Sequence, residues 1–395
     1  MRILHVYRTY FPDPQGGLQE AIRQIVLATH AHGVEARVFT LSPDPQPACV
    51  ERSEGLVVRS RSLAAPASCD LGGPDAFVEF GRQARWADVV HYHFPWPFAD
   101  LLHLSTGLRR PAVMTYHSDI VRQRMLARLY RPLAARMLRS MDAVVMTSPA
   151  YARGSAWLTT IVDADRRRVI PLGIVEDSYA DAVHEAASID TAERFAEPMR
   201  LARCRDGFFL AIGVLRYYKG FDVLIDAAAR NGLSVLIAGH GPMRESLEAY
   251  VRERNAPVAF LGHVTEAEKM ALLRDCRALV LPSPLRAEAF GMVLVEASMA
   301  RRPMITCEIG TGTSYVNLAD ETGFVVAPHD AVALSDAMLA LDADPALRER
   351  FGAAARRRYE RFFAGDLLGR NYVGLYDELC REFGGEMMAA RPGAR

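Results

Sequence analysis

Two glutamates eight residues apart, Glu288 and Glu296, are the first candidates for chemistry in this sequence. Glu288 follows an apolar run that ends at Pro282, which predicts a buried strand leading into a loop. Glu296 lies in an apolar stretch that predicts a mostly buried helix. In the loop a carboxylate could accept hydrogen bonds from sugar hydroxyl groups, and on the helix it needs a buried partner, such as a ribose diol. Taken alone, either glutamate could instead be solvated or bonded to local backbone.

The residues between the two glutamates predict an anion-binding site. Phe290 to Val293 would form the first turn of the helix, where backbone N–H groups are unpaired and the helix dipole is positive. Such a helix end suits a phosphate, and Gly291 would let the backbone approach it closely because glycine has no Cβ atom. The candidate contacts around this turn are Pro282, Ala289, Phe290, Gly291, Met292 and Val293.

Two cations three residues apart, Arg216 and Lys219, follow a predicted strand that ends at Gly213. A predicted helix from Asp222 to Asn231 comes next. Fixed cations at such a point could neutralise a pyrophosphate leaving group, and the alternative is ordinary surface charge.

The elements that must position these residues form two series of alternating strands and helices. In the first, a strand from Arg2 to Tyr7 leads through the Gly16-Gly17 loop into a helix, a geometry that can hold a phosphate. A later strand of this series ends at His117, and ligands of open α/β sheets gather at the carboxyl ends of strands. His91 and His93 share one strand face and could be packed core or rim groups. The sequence therefore predicts an α/β protein with two Rossmann-like domains.

Composition limits the class of protein. The 395 residues are 50% hydrophobic and carry no net charge, which gives no sign of nucleic-acid binding. Six cysteines show no C-x-x-C spacing, which favours a reducing compartment over a disulfide framework or a zinc site. No apolar run is long enough for a signal peptide or a spanning helix, so we expect a soluble or peripheral cytoplasmic protein.

A basic amphipathic segment covers residues 120–140, with helix predicted on both sides of Pro132. Such a segment could lie on an anionic membrane surface, or it could be a solvated arginine face above a core-facing stripe.

Two D-x-D pairs could suggest a metal site. Asp163 with Asp165, and Asp342 with Asp344, both look like loop and helix-cap carboxylates. We therefore predict no metal site, with Arg216 taking the role of a divalent ion together with its neighbouring lysine.

The pattern E-A-F-G-x-x-x-x-E, with G-x-L-R-x-x-K-G before it, resembles the signature of retaining glycosyltransferases of the GT-B type, group 1 or family 4. The resemblance implies two Rossmann-like domains that face each other across a cleft. We expect an acceptor-side domain over residues 1–185 and a nucleotide-sugar domain over 200–363. A final segment, 364–395, would contain a helix that packs back on the first domain, followed by a tail.

The resemblance also implies roles for individual residues. Arg216, Lys219 and the helix start would stabilise the departing pyrophosphate, while Glu288 would hold the sugar, Glu296 the ribose, and His117 the sugar and the acceptor side. No nucleophile is evident, in keeping with the front-face mechanism proposed for such enzymes. The remaining residues of the implied donor site are Gly16, Gly17, Gly213, Gly239, His263 and Val264.

The opening H-V-Y-R-T-Y-F-P-D-x-x-G-G looks most like bacterial members that build O-antigen with GDP-mannose or a GDP-deoxyhexose. The implied acceptor is a lipid-linked saccharide, and no cofactor is expected beside the sugar donor. Three alternatives remain open: a UDP-sugar transferase, a nucleotide-sugar 2-epimerase, and a non-catalytic sugar-nucleotide binder. An epimerase should lack the glutamate pair that this sequence contains. The absence of G-x-G-x-x-G argues against an NAD oxidoreductase.

Overall fold

The computed structural model describes residues 1–13, 16–66, 69–107, 109–119 and 124–389. The chain divides into two compact units. Unit 1 comprises Met1–Gly173 and Gly365–Arg395, and unit 2 comprises Ile174–Ala364. The predicted first domain therefore extended too far, because residues 174–185 belong to unit 2. These residues begin a series of short helices that pack within unit 2.

Unit 1 is built on a largely parallel sheet. Its described strands number nine: β1 (Arg2–Val6), β2 (Glu35–Ser42), β3 (Cys49–Arg52), β4 (Gly55–Ala64), β5 (Leu71–Gly72), β6 (Val89–Phe94), β7 (Ala112–Tyr116), β8 (Ala143–Met146) and β9 (Arg167–Val169). They run in the order β3-β4-β2-β1-β6-β7-β8-β9, with β5 paired to β4. The strand order reverses between β1 and β6, and at such a switch point open α/β sheets bind their ligands.

The central strands of unit 1 are buried almost throughout because both faces of the sheet are covered. The covering helices are α1 (Gly17–His30), α2 (Pro74–Trp86), α3 (Pro97–Thr106), α4 (Arg124–Arg139), α5 (Pro149–Gly154) and α6 (Ala156–Ile161). Helix α4 runs through Pro132 without a break, which confirms the helix predicted on both sides of this proline. The start of the predicted basic segment, residues 120–123, lies outside the described residues.

Unit 2 contains a sheet in which all six strands are parallel, and every residue from 174 to 364 is described. The unit begins with three short helices, α7 (Ala180–Ala186), α8 (Thr191–Arg194) and α9 (Ala196–Leu201). The strands are β10 (Phe209–Ile212), β11 (Val235–Ala238), β12 (Val258–Gly262), β13 (Leu279–Leu281), β14 (Met304–Cys307) and β15 (Gly323–Val326). Their order is β12-β11-β10-β13-β14-β15, which places the switch point between β10 and β13.

Helices cover both faces of this second sheet. They are α10 (Phe221–Asn231), α11 (Arg244–Arg254), α12 (Glu266–Asp275), α13 (Met292–Met299), α14 (Thr313–Val316), α15 (Ala331–Ala343) and α16 (Pro345–Phe362). Helix α12 begins with a capping box, in which Thr265 and Glu268 bond each other's backbone N–H groups.

The last helix, α17 (Gly365–Ala389), returns to unit 1 and packs along α1. It buries Tyr372 and Tyr376 completely. The helix continues through residues 384–389, and residues 390–395 lie outside the described part of the chain. None of the helices described combines the length and apolar composition that crossing a bilayer requires.

Candidate active site

An ion pair lies at the switch point of unit 2. Lys219 follows β10 and Glu288 follows β13, and these neighbouring parallel strands bring the two side chains together. The Lys219 ammonium donates a hydrogen bond of 2.6 Å to Oε2 of Glu288, and the Ser283 hydroxyl donates to the same oxygen at 3.2 Å. Burial works to lower the pKa of Lys219, but attraction by the Glu288 carboxylate outweighs it and raises that pKa. The lysine is therefore a fixed cation at neutral pH.

A glycine allows the loops that carry this pair to touch. Gly220, directly after Lys219, has φ of 68°, and a Cβ atom there would lie 2.2 Å from the carbonyl oxygen of Pro282. Only glycine fits such a contact without moving the backbone. The predicted site residues Pro282 and Gly213 belong to this arrangement, since Gly213 donates its N–H to the carbonyl of Ala238 at the end of β11.

The helix after Glu288 begins later than predicted. Helix α13 starts at Met292, because Gly291 takes a left-handed conformation with φ of 83° and serves as the N-cap. The prediction that Phe290 opens the first turn was wrong for this reason. The loop before the helix is held by Thr311, whose hydroxyl donates 2.8 Å to the carbonyl of Glu288, and by the N–H of Gly312, which donates to the carbonyl of Ala289.

Glu296, on α13, already has two protein donors. Its Oε1 accepts a hydrogen bond of 2.9 Å from the Tyr179 hydroxyl and one of 2.8 Å from the Lys269 ammonium. The Glu296 carboxylate and that of Glu266 outweigh the effect of burial and raise the pKa of Lys269. The sequence analysis missed both donors. The detectable signal was a lysine directly before the apolar run Met270 to Leu273 of α12.

The loop that contains His263 and Val264, both assigned to the implied donor site, is supported by a histidine. Nε2 of His240 accepts a hydrogen bond of 2.9 Å from the backbone N–H of His263. Gly239 donates its N–H to the carbonyl of Gly262 at 2.7 Å. The N–H of His263 is thus engaged within the protein. A nucleotide base bound at this loop would therefore contact other backbone groups, such as those of Val264.

The second predicted cation, Arg216, has a different environment from the lysine. Its side chain is exposed, and its carbonyl accepts the N–H of Lys219 within a 3₁₀ turn, Tyr217–Lys219. No ion pair involves Arg216 among the described residues. In the second D-x-D pair the carboxylates bond within the protein, because Asp344 caps α16 and Asp342 pairs with Arg277.

In unit 1 the predicted His117 belongs to a chain of buried imidazoles. Nε2 of His117 lies 2.9 Å from Nδ1 of His93, and Nε2 of His93 lies 3.1 Å from Nδ1 of His5. The chain ends at Nε2 of His5, which has no partner in the described part of the protein. Burying an N–H without a partner is rarer than burying an unused acceptor, which favours the proton of His5 on Nδ1. Each imidazole then donates from its Nδ1 to Nε2 of the next, so the proton of His117 also lies on Nδ1.

The second half of this network reaches the last helix. His91 lies 2.7 Å from the hydroxyl of Tyr376 and 2.7 Å from that of Thr115, which in turn lies 2.9 Å from the hydroxyl of Tyr372. His91 and His93 are therefore core residues and not rim residues, because both are buried. Ring nitrogens of His5, His91 and His93 lie within 4.8 Å of one another, which would suit a metal ion. Both nitrogens of His91 are already hydrogen bonded, however, so metal binding would have to break this network.

All four histidines of the network are neutral at physiological pH. Burial lowers the pKa of His5 and of His117 to about 3, and it lowers those of His91 and His93 well below the usual range. His117 thus offers a neutral hydrogen-bonding group at the end of β7. The glycines predicted with it lie at the start of α1, where Gly16 is the N-cap and Gly17 the first helical residue.

Comparison with known proteins identifies the family. Residues 200–358 match the model of glycosyl transferases group 1, and residues 16–173 match that of a glycosyl transferase 4-like domain. The O-antigen chain mannosyltransferase C of Escherichia coli is 39% identical, over 96% of this chain and 99% of that protein. The D-rhamnosyltransferase WbpZ of Pseudomonas aeruginosa is 42% identical, over 92% of each.

The chain belongs to the group 1 glycosyltransferases. Solved structures agree on the fold. The sucrose-phosphate synthase of Thermosynechococcus elongatus has a TM-score of 0.76 at 23% identity and covers 96% of this chain and 98% of that one. The Anabaena protein HepE in complex with UDP has a TM-score of 0.75 at 16% identity, over 96% and 100%. The predicted family and the GT-B fold with two Rossmann-like units are confirmed.

Proposed function

We propose that this glycosyltransferase moves a hexose of the mannose or deoxyhexose type from a GDP-sugar to a lipid-linked saccharide in surface polysaccharide synthesis. The observation that carries the proposal is the buried pair of Lys219 and Glu288 beside the start of α13. The names of the two relatives, an O-antigen mannosyltransferase and a D-rhamnosyltransferase, support the choice of sugar.

The site in unit 2 suits a sugar nucleotide. The start of α13 and Lys219 would bind the pyrophosphate, and Arg216 is long and exposed enough to join them when a ligand is present. Glu288 keeps Oε1 for sugar hydroxyls, because Lys219 and Ser283 both bond Oε2. Glu296 likewise keeps Oε2 for the ribose.

The reaction would proceed with retention of the anomeric configuration and without a metal. Cleavage of the glycosidic bond puts negative charge on the departing diphosphate, and the buried ammonium of Lys219 would stabilise that charge in a low-dielectric site. His117 would donate its Nδ1 hydrogen to a hydroxyl of the sugar. No side chain is assigned as a nucleophile, so positioning and leaving-group stabilisation carry the rate enhancement.

The identity of the donor's nucleotide base is tested by thermal shift with GDP, UDP, ADP and dTDP side by side, because a selective ligand stabilises the native state. We expect a shift with GDP alone. A shift with UDP alone would mean that the donor is a UDP-sugar, and the proposed class of enzyme would stand. No shift with any of the four nucleotides would overturn the nucleotide-sugar proposal.

Transfer itself is tested with GDP-mannose and GDP-rhamnose on a lipid-linked saccharide. The product's anomeric configuration, read by NMR, and activity in EDTA test retention and metal independence. A protein that binds GDP but neither transfers nor slowly hydrolyses the donor would be a non-catalytic binder.

A further inference from the structure

A diagonal row of three histidines crosses unit 1 from β1 to the end of β7. His5 on β1 lies opposite His91 on β6 in the parallel register, and His93 lies two residues further along β6. His93 in turn lies opposite Thr115 on β7, and His117 follows two residues later, just past the end of that strand. Since side chains two residues apart on a strand point to the same face, these residues share one face of the sheet. The row therefore advances by two residues from each strand to the next, towards the carboxyl ends of the strands.

The row forms one chain of hydrogen bonds with two ends. Its inner end is Nε2 of His5, which is buried and has no partner among the described residues. Its outer end is Nδ1 of His117, for which the described residues likewise provide no hydrogen bond. Burial lowers the pKa of all three imidazoles and keeps them neutral, so each ring has a single N–H group. The position of the proton on one ring therefore determines its position on the next.

The inner end determines the direction of the chain. With every proton on Nε2, His5 would bury an N–H group without a partner, whereas with every proton on Nδ1 it buries only an unused acceptor. The second arrangement costs less, since buried N–H groups without partners are the rarer case. His5 then donates to Nε2 of His93 over 3.1 Å, and His93 donates to Nε2 of His117 over 2.9 Å. His117 keeps its own hydrogen at the outer end, where a ligand could accept it.

A fourth histidine supports the chain without joining it. The ring of His91 packs against those of His5 and His93, with centroids 4.9 Å and 4.4 Å away. Its two nitrogens are bonded to the hydroxyl groups of Tyr376 and Thr115. His91 therefore neither donates to the chain nor accepts from it, and the direction of the chain depends on the other three rings.

We propose that His93 is a positioning residue for glycosyl transfer. By donating to Nε2 of His117, it holds that ring in place with its hydrogen on Nδ1, and His5 sets the direction of this donation. Nδ1 of His117 can then only donate to a hydroxyl group of the donor sugar, which selects for an accepting hydroxyl oxygen at that place. The contact with the sugar rests on the proposed function, but the direction of the chain does not.

The direction is tested by NMR on the full chain labelled with ¹⁵N-histidine at pH 7, because protonated and unprotonated ring nitrogens differ widely in ¹⁵N chemical shift. The sequence contains 11 histidines, and the signals that disappear in His117→Gln identify the ring of interest. We expect the proton of His117 on Nδ1 and an unprotonated Nε2. A proton on Nε2 in the native protein would overturn the proposal, since His117 would then accept from the sugar.

Two variants of nearly equal size test whether residue 93 controls this proton. The side chain introduced by His93→Asn offers an amide N–H group near the position of the original Nδ1, so Nε2 of His117 should stay unprotonated. The carboxylate introduced by His93→Asp can only accept, so it should place a proton on Nε2 of His117. The same state of Nε2 in both variants would overturn the proposal.

A double-mutant cycle tests whether His93 acts through His117. His93→Phe removes the donor but keeps an aromatic ring, and it should lower kcat of transfer roughly tenfold, because the imidazole of His117 loses its orientation. In the background of His117→Ala the same substitution should change kcat little. His103→Phe is the matched control and should leave kcat unchanged in both backgrounds. His103 is a half-buried histidine of unit 1 that bonds Tyr92 and Ser140 outside the chain.

The kinetic outcomes separate this proposal from the one on which it rests. A purely structural role of His93 would lower kcat by the same factor in both backgrounds, and this result would overturn the proposal. A loss in His103→Phe as large as that in His93→Phe would show general damage to unit 1 and would also overturn it. If the native protein transferred no sugar, the proposed function would be refuted. A proton on His117 that follows residue 93 would in that case still support the chain.

Discussion

The two units bury polar groups at their switch points in opposite ways. Unit 2 keeps formal charges, in the pairs of Lys219 with Glu288 and of Lys269 with Glu296. At the switch point of unit 1, four imidazoles are held neutral and hydrogen bonded to one another or to hydroxyl groups, and the formal charges buried nearby are those of Asp13 and Arg59, in the loop after β1 and on β4. The same sheet architecture therefore supports a charged site in one unit and a neutral one in the other.

The difference follows from what each kind of group can offer a ligand. A buried ion is retained only when a partner compensates its lost hydration, and its field is then strong because little water screens it. Such a field suits a diphosphate that gains charge during a reaction. A neutral imidazole attracts no ion, but it can direct one hydrogen bond at a hydroxyl. The contrast predicts different responses of the two units to pH and to mutation.

Acidification should have the largest effect, and it should act on unit 1. The pKa of His5 and of His117 is near 3 in the folded protein and near 6.5 in the unfolded chain, so between these values only the unfolded chain takes up the proton. Stability is therefore present above pH 6.5 and lost as the pH falls. From pH 7 to pH 5 each histidine should lower the free energy of unfolding by about 2 kcal/mol.

Two other groups of unit 1 nearly cancel in this window. Burial lowers the pKa of His103 to about 4, which adds to the loss, and it raises that of Asp100 to about 7, which opposes the loss. Unfolding is followed by tryptophan emission, which reports on unit 1 because Trp86, Trp96 and Trp157 all lie there. An unfolding midpoint that does not change between pH 7 and pH 5 would contradict a neutral network.

In unit 2 the largest expected effect is on turnover. Glu288→Ala should reduce kcat of transfer by roughly a hundredfold or more, because it removes the carboxylate proposed to hold the sugar and releases Lys219 from its fixed position. Circular dichroism should show an intact fold. Glu245→Ala, at an exposed position of α11, is the control and should transfer normally. Near-normal turnover of the first variant would remove Glu288 from the site.

The second charged pair should matter mainly for stability. Lys269→Met leaves the buried Glu296 carboxylate with the Tyr179 hydroxyl alone, and it should cost about 3 kcal/mol in the free energy of unfolding. Adding Glu296→Gln removes the uncompensated charge and should recover part of that loss. Urea unfolding measures both variants. If the single and double variants are equally destabilised, the charge of Glu296 is not what Lys269 compensates.

Local patterns in the sequence were sufficient to single out Lys219 and Glu288 as separate site residues, but they predicted neither the contact between these two nor the partners of Glu296. Lys219 and Glu288 each follow a strand directly, and strand ends collect ligand-binding groups. Tyr179 and Lys269 reach Glu296 across 117 and 27 residues, and no local pattern encodes such a contact. The start of α13 was misplaced because Gly291 was assigned to ligand approach, whereas the backbone itself requires its left-handed conformation.

The histidines of unit 1 show the same limit. Alternation along β6 predicts that His91 and His93 share a face, but their contact with His5 depends on β1 lying beside β6. Strand order is a long-range property, set by how the whole sheet packs. The alternation alone therefore could not show whether His91 and His93 are core or rim residues. Only the register of β1 against β6 decides between these two positions.

The smallest predicted effects compare two tyrosine hydroxyls, one from each kind of network. Tyr376→Phe leaves Nδ1 of His91 buried without its partner, and it should cost about 2 kcal/mol. Tyr179→Phe removes one of two donors to Glu296, whose oxygen still accepts from Lys269, and it should cost about 1 kcal/mol.

Urea unfolding of both phenylalanine variants measures this difference, with Tyr250→Phe as a comparison at a half-buried hydroxyl near the surface that bonds Asp226 and Arg254. A greater loss in the free energy of unfolding for Tyr376→Phe would show that each imidazole nitrogen in the neutral network depends on a single hydrogen bond. The reverse order would mean that the Glu296 carboxylate depends on both of its donors, and the two units would then differ in charge but not in how tightly their buried groups are satisfied.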